Sequence, residues 1–199
     1  MDKKNTINDH ELFAAIKQGN KSALACLFDR YYHRLCDFAF LYVKSTDLAQ
    51  EVISNVFFNL WMKKDDLNID KNPKSYLFIC ARNQCLNFLK KEQLYDIEPL
   101  MSLENTGRAN QTETDLYYKE LLDTVEGLIN KMPNQMQIVF RLNKFEGLKY
   151  KEIAQILSIS PNTVQNHMVK ANKYITEKFL QVSRQNTTLL ILATTFFNL

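Results

Sequence analysis

Glycine and proline are scarce in this chain, four of each in 199 residues. No Asn-Gly hairpin signal and no sustained alternation of apolar and polar residues occurs, so a β-sheet architecture is excluded and an all-α chain is predicted. The cysteines are Cys26, Cys36, Cys80 and Cys85, and none forms a C-x-x-C pair. In apolar helical surroundings they read as reduced core thiols of a cytoplasmic protein rather than a disulfide framework. His10, His33 and His167 are scattered without metal-ligand spacing. Gly-rich phosphate loops, H-E-x-x-H and G-x-S-x-G are all missing, so neither an enzyme site, nor a metal or cofactor site, nor a small-molecule substrate is expected. The beginning, MDKKNTINDHEL, lacks the apolar core of a signal peptide. The most apolar stretch, Thr187 to Leu199, has thirteen residues, short of the roughly 20 that span a bilayer. It reads as a tail that packs on the carboxy-terminal domain or meets a partner.

Helical periodicity fills most of what remains. Asn8 or Asp9 caps a first helix that Gly19 stops. Lys21 opens a long helix whose stripe is Leu24, Leu27, Phe28, Tyr31, Leu35, Phe38 and Tyr42. Ser45-Thr46-Asp47 recaps the chain, and the helix from Leu48 to Met62 carries Ala49, Val52, Ile53, Val56, Phe57, Leu60 and Trp61 on one face. Lys63 to Asn72 is polar and reads as a loop, after which Asn72 caps and Pro73 opens a fourth helix. From Glu92 to Glu126 there are 2 basic and 9 acidic residues, and the stretch 93–114 reads as an acidic linker. Helix returns from Leu116 to Met132, and Pro133 starts another that Gly147 ends. Two small helical domains, 8–92 and 115–182, joined by that flexible linker and followed by the tail 183–199, are the expected organisation.

The stretch Tyr150 to Ala171, YKEIAQILSISPNTVQNHMVKA, says most about function. Tyr150, Ile153, Ala154 and Leu157 fall on one face of a short helix. Ser158-Ile159-Ser160 breaks it; Ser160 is a good N-cap and Pro161 suits the first helical position. A second helix then buries Val164, Met168, Ala171 and Ile175, which makes a helix-turn-helix. The turn position often held by glycine is Ser158, where a left-handed backbone costs a serine ~1 kcal/mol. Asn162, Thr163, Gln165, Asn166, His167, Lys170 and Lys173 form the outer face of the second helix. Asn and Gln can pair with adenine edges in a major groove, and Lys can reach guanine or phosphate. Between Lys131 and Lys178 there are 8 basic and 3 acidic residues, a local surplus suited to a phosphate backbone.

Four blocks extend the reading: LFDRYYHRL (Leu27 to Leu35), DLAQEVISNVFFNLW (Asp47 to Trp61), KSYLFICARNQCLNFLKK (Lys74 to Lys91) and FEGLKYKEIAQILSISPNTVQNHMVKA (Phe145 to Ala171). In this order they resemble bacterial RNA polymerase sigma factors of the sigma-70 family, extracytoplasmic-function group. The resemblance implies a factor that binds core RNA polymerase, reads the −35 promoter element with the second helix of the helix-turn-helix and helps melt the −10 element. It implies a polymerase contact on the helix of Asp47, Gln50, Glu51, Ser54 and Asn55, where family members often carry more acidic residues. For the −10 element it implies Lys63, Lys64, Lys74, Arg82 and Asn83, since capture of an unstacked base needs a pocket and cations for the displaced strand. It also implies an anti-sigma partner, often membrane-bound. The alternative is a helix-turn-helix regulator that binds operator DNA without core polymerase, which leaves the blocks from Asp47 to Lys91 unexplained. A recombinase with a carboxy-terminal helix-turn-helix is weaker still.

Overall fold

A computed structural model describes residues 7–67, 72–93 and 113–183. All of the expected tail but Ser183 and most of the expected linker lie outside the described residues, as do residues 68–71 of the expected loop. Every regular element among the described residues is helical: α1 (Asp9–Lys17), α2 (Lys21–Val43), α3 (Thr46–Met62), a single 3-10 turn (Lys64–Asp66), α4 (Pro73–Gln93), α5 (Glu113–Asn130), α6 (Asn134–Lys144), α7 (Tyr150–Leu157) and α8 (Pro161–Ser183). By proximity along and across the chain these fall into two units, residues 1–103 with 151–158, and residues 104–150 with 159–199.

In the first unit the helix starts are written in the sequence. Asn8 and Glu11 form a reciprocal capping box on α1. The Asn20 side chain accepts from the Ala23 amide at the start of α2, and Ser45 does the same for Leu48 in α3. Asn72 accepts from the Lys74 and Ser75 amides at 3.0 and 3.3 Å, while Pro73 occupies the first position of α4. α2 packs on α1, α3 and α4, and α3 packs on α4. Leu12, Phe13, Ile16, Leu27, Leu35, Ile53, Leu77 and Phe78 are fully buried between them. Phe38 meets Phe78 edge-on at 5.1 Å, and Phe13 meets Tyr76 edge-on at 5.9 Å. One polar cluster ties α1 to α2: Arg30 and the Tyr31 hydroxyl both donate to the Asp9 carboxylate. Burial and that carboxylate together push the Tyr31 phenol upward, so it stays protonated.

The stretch after α3 is more ordered than a plain loop. Lys64 to Asp66 make a 3-10 turn, after which Leu67 is buried and its carbonyl accepts from the Lys17 ammonium at 3.1 Å. The buried leucine and this lysine hold the beginning of the segment against α1. The cysteines depart from the core expectation. All four are free thiols, but Cys26 is exposed, Cys36 and Cys80 are half-buried and only Cys85 is buried. Cys26 lies one position before Leu27, off the buried stripe, which periodicity around it obscures.

In the second unit α8 packs on α5 and α6. Ile129, Ile138, Val139, Leu142, Val164, Met168, Ala171, Ile175 and Phe179 form its apolar centre. Arg141 is gripped by the Glu126 carboxylate and by the Asn130 side chain at 3.0 Å. Gly147 takes φ +63 after α6, a left-handed residue that lets its amide reach the Asn143 carbonyl and the Leu148 amide reach that of Leu142. Tyr150, placed by spacing on the buried face of α7, is exposed instead, and so are the apolar Leu122 and Phe145. Phe145 is the C-cap of α6 and Tyr150 the first residue of α7, so each sits where the helix no longer repeats the periodicity that placed it inside.

Candidate nucleic-acid interface

The turn before α8 is built as its residues dictate. Ser158 adopts φ 54, the left-handed region, so the glycine-like turn is made with a serine. Ser160 caps α8: its Oγ accepts from the Thr163 amide at 3.0 Å and lies 2.8 Å from the Thr163 hydroxyl. The Val164 amide donates to the Ser160 carbonyl, and Pro161 needs no partner for an amide proton it lacks. Val164, Met168, Ala171, Ile175 and Phe179 are all buried, so the orientation of α8 about its own axis is fixed.

That rotation sorts the predicted face. Asn162, Gln165, Asn166, Lys170 and Lys173 are exposed. Thr163 and His167 are half-buried at the border of the apolar stripe, and the Thr163 hydroxyl is engaged with the cap. Lys173 pairs with Glu177 at 3.8 Å, both well exposed; such a pair is worth little and yields readily to a phosphate. The amides and ammoniums of the five exposed residues are what a duplex edge would meet. Sequence periodicity passed over Val169, which is 60% exposed on this same polar face.

On α3 the predicted contact residues also share one face. Asp47, Gln50, Glu51, Ser54 and Asn55 are all exposed, opposite buried Ala49, Val52, Ile53, Val56, Phe57 and Leu60. The face continues into Phe58 and Met62, 62% and 61% exposed, which lie outside the apolar stripe read from the sequence. Beside them, Leu24, Ala25 and Phe28 of α2 and Phe57, Phe58 and Trp61 of α3 line a cleft of about 420 Å³, with Lys21 and Asp29 at its edge.

The cations predicted for strand opening flank the chain between α3 and α4. Lys63 is the exposed C-cap of α3. The Lys64 ammonium lies 5.6 Å from the centre of the Trp61 ring and 3.7 Å from Asp65. Lys74 is half-buried in the first turn of α4. In the Ala81-Arg82-Asn83 run, Ala81 is fully buried, Arg82 is half-buried and Asn83 is exposed. Arg82 donates to the Ser158 hydroxyl at 3.3 Å and lies near Tyr42, whose phenol burial pushes up to about 12 against the pull of that guanidinium. Arg82 is thus held in place by the core while its neighbour Asn83 faces outward. Lys63, Lys64 and Lys74 bracket one segment; Arg82 and Asn83 follow Lys74 by about 12 Å along the helix axis.

Among the described residues no group of His, Cys, Asp and Glu could hold a metal ion, and no helix is long and apolar enough to cross a membrane.

Comparison with known proteins matches residues 27–95 to sigma-70 region 2 and residues 122–174 to sigma-70 region 4. The ECF RNA polymerase sigma-E factor of Escherichia coli K12 is 23% identical over 188 residues, covering 90% of this chain and 98% of that protein. The sigma-E factor of Haemophilus influenzae is 22% identical over 186 residues, with coverage of 86% and 95%. Among solved structures, CnrH in complex with the cytosolic domain of CnrY aligns with a TM-score of 0.58 at 18% identity, covering 85% of this chain and 95% of that one. The sigma factor RpoE in complex with the anti-sigma factor NepR from Bartonella quintana aligns with a TM-score of 0.56 at 17% identity, covering 75% and 92%.

Proposed function

The chain belongs to the sigma-70 family, in its extracytoplasmic-function group, and directs promoter-specific transcription initiation; from that premise we propose how its parts divide the work. Residues 8–92 form the domain that holds core RNA polymerase and opens the −10 element. Residues 93–114 are the linker, 115–182 the −35-reading domain, and 183–199 a tail. Asp47, Gln50, Glu51, Ser54 and Asn55 meet the polymerase. Lys63, Lys64, Lys74 and Asn83 hold the −10 strand, with Arg82 braced by Tyr42. Asn162, Gln165, Asn166, Lys170 and Lys173 read the −35 duplex, while Thr163 serves the cap and His167 the edge of the stripe. The protein works in the cytoplasm as a binding factor, and the phosphodiester chemistry belongs to the polymerase.

The observation that carries this reading is the coexistence of two faces on rigid helices: the polar α3 face and the capped polar face of α8. A plain operator-binding regulator needs the second and has no use for the first. Both solved relatives are complexes with a second protein, one of them a named anti-sigma factor. An anti-sigma partner that competes with polymerase for the α3 face, including exposed Phe58 and Met62, fits the same surface.

The test is co-elution of the full chain with purified core polymerase. The wild-type protein is expected to co-elute, and Glu51→Lys combined with Asn55→Glu, on an exposed face with no core role, is expected to abolish this without lowering thermal stability. Tight operator binding with no association to core polymerase would establish the regulator instead.

A further inference from the structure

From Asn162 to Lys173, the outer face of α8 has one exposed apolar residue. Val169 is 60% exposed, whereas Val164, Met168, Ala171, Ile175 and Phe179 of the same helix are buried. At about 100° per residue, Asn162, Gln165, Asn166 and Lys173 all lie within about 60° of Val169 around the helix axis, and the buried stripe lies about 80° or more away. Val169 therefore lies within the polar face, along the helix between Gln165 and Asn166, which offer amides, and Lys170 and Lys173, which offer ammoniums.

A lone exposed valine is too small to be a protein docking patch. Nor is valine favoured by the helix, because its β-branch restricts χ1 against the preceding turn. In the major groove one base edge asks for an apolar neighbour, the C5-methyl of thymine, and the amides beside Val169 match the donor and acceptor of the adenine edge. We propose that Val169 is a specificity-determining residue that packs on a thymine methyl in the −35 duplex, with Gln165 or Asn166 reading an adjacent adenine. This rests on the −35-reading role of α8.

The geometry also sets what the contact is worth. A methyl group removed from water contributes about 0.8 kcal/mol, which is about a fourfold preference for thymine over deoxyuridine, a base that pairs identically and lacks only that methyl. The contact thus sharpens a choice whose hydrogen bonds are made by its neighbours.

The experiment uses the full chain with core polymerase and a promoter duplex selected from a library by the wild-type protein. Each −35 thymine is replaced in turn by deoxyuridine, and binding is measured for wild type, Val169→Ala and Val169→Thr. At one position deoxyuridine is expected to weaken wild-type binding about fourfold. Val169→Ala should bind the thymine and deoxyuridine duplexes alike, and Val169→Thr, which keeps one methyl, should retain part of the difference. Unchanged thermal unfolding of both variants shows that the loss is local. Absence of any methyl-sensitive position, or a methyl effect that survives in Val169→Ala, overturns the inference and leaves the role of α8 standing. Failure of the wild-type chain with core polymerase to select any promoter overturns both.

Discussion

Removing the α8 cap with Ser160→Ala deletes the hydroxyl's hydrogen bonds with the Thr163 amide and the Thr163 hydroxyl and little else. The Ser160 Oγ accepts from the Thr163 amide at 3.0 Å, and the bond is exposed, so water can replace the lost acceptor. No buried group is orphaned, which keeps the cost at the ordinary value for an N-cap, about 1 kcal/mol. At 25 °C that is about a fivefold increase in opening of the first turn of α8. Hydrogen exchange on the intact protein should report about fivefold weaker protection of the Thr163 amide. The Ile175 amide, deep in α8, should change far less. Because the frayed turn carries Asn162 and precedes Gln165 and Asn166, −35 affinity should fall by no more than the same factor, the fraction of α8 ready to bind. Ser160→Asp separates the two effects. Its carboxylate restores the cap and suits the positive end of the helix, so protection should return, yet its charge beside the phosphates should still weaken DNA binding. Equal protection of the Thr163 amide in wild type and Ser160→Ala, or Ala and Asp variants that behave alike, would refute the reasoning.

Alkali should loosen the first unit before it reaches ordinary tyrosine denaturation. Burial pushes Tyr42 and Tyr76 up to about 12 from 10, and Cys85 up to about 12 from 9. Each group is held neutral by the fold, so its contribution is complete below the unfolded value and is lost as pH climbs through the folded one. The urea midpoint should therefore decline from about pH 9 upward, and Tyr42→Phe should flatten the decline; a midpoint that rises with pH would contradict the sign. Phe78→Ala removes a fully buried ring that meets Phe38 and should cost about 3–5 kcal/mol, read as a lower melting temperature. A loss below 1 kcal/mol would mean that this side of the core is not packed as described.

The sequence was most informative where side-chain chemistry acts locally. Asn8, Ser45, Asn72 and Ser160 cap the helices they were expected to cap, because an acceptor three residues before an orphan amide needs no tertiary information. The buried stripe of α8 was equally legible, since four apolar residues at steps of four, three and four leave one way to turn the helix. The left-handed Ser158 followed from the break between two helices too close for any longer turn. Periodicity failed at the ends and borders of helices. Tyr150 and Phe145 are apolar residues where the helix starts or stops, and Thr163 and His167 straddle polar and apolar faces. Phe58 and Met62 on α3 and Val169 on α8 fall outside the apolar stripes read from the spacing, and the structure exposes them; what the spacing left unsaid is that these outward positions carry apolar side chains to a surface.

These outward apolar residues change how the two faces are understood. The α3 surface is a polar stripe running into an apolar edge beside a cleft, which suits a protein partner better than a charge pattern alone would. Gln50, Ser54 and Asn55 are uncharged, and the exposed Phe58 and Met62 supply apolar area near them. From Asn162 to Lys173 the α8 surface is polar apart from one valine, the arrangement expected of a helix that reads base edges.

Run-off transcription with core polymerase on a randomised promoter library tests the central claim most directly. The account predicts specific starts that depend on this protein, with two selected blocks upstream at −35 and −10. Substitutions at Gln165, Asn166 or Lys170 should change the −35 block, and substitutions at Asn83 should impair opening more than duplex binding. Transcription no different from that of core polymerase alone, or a single selected block bound equally well without polymerase, would contradict it.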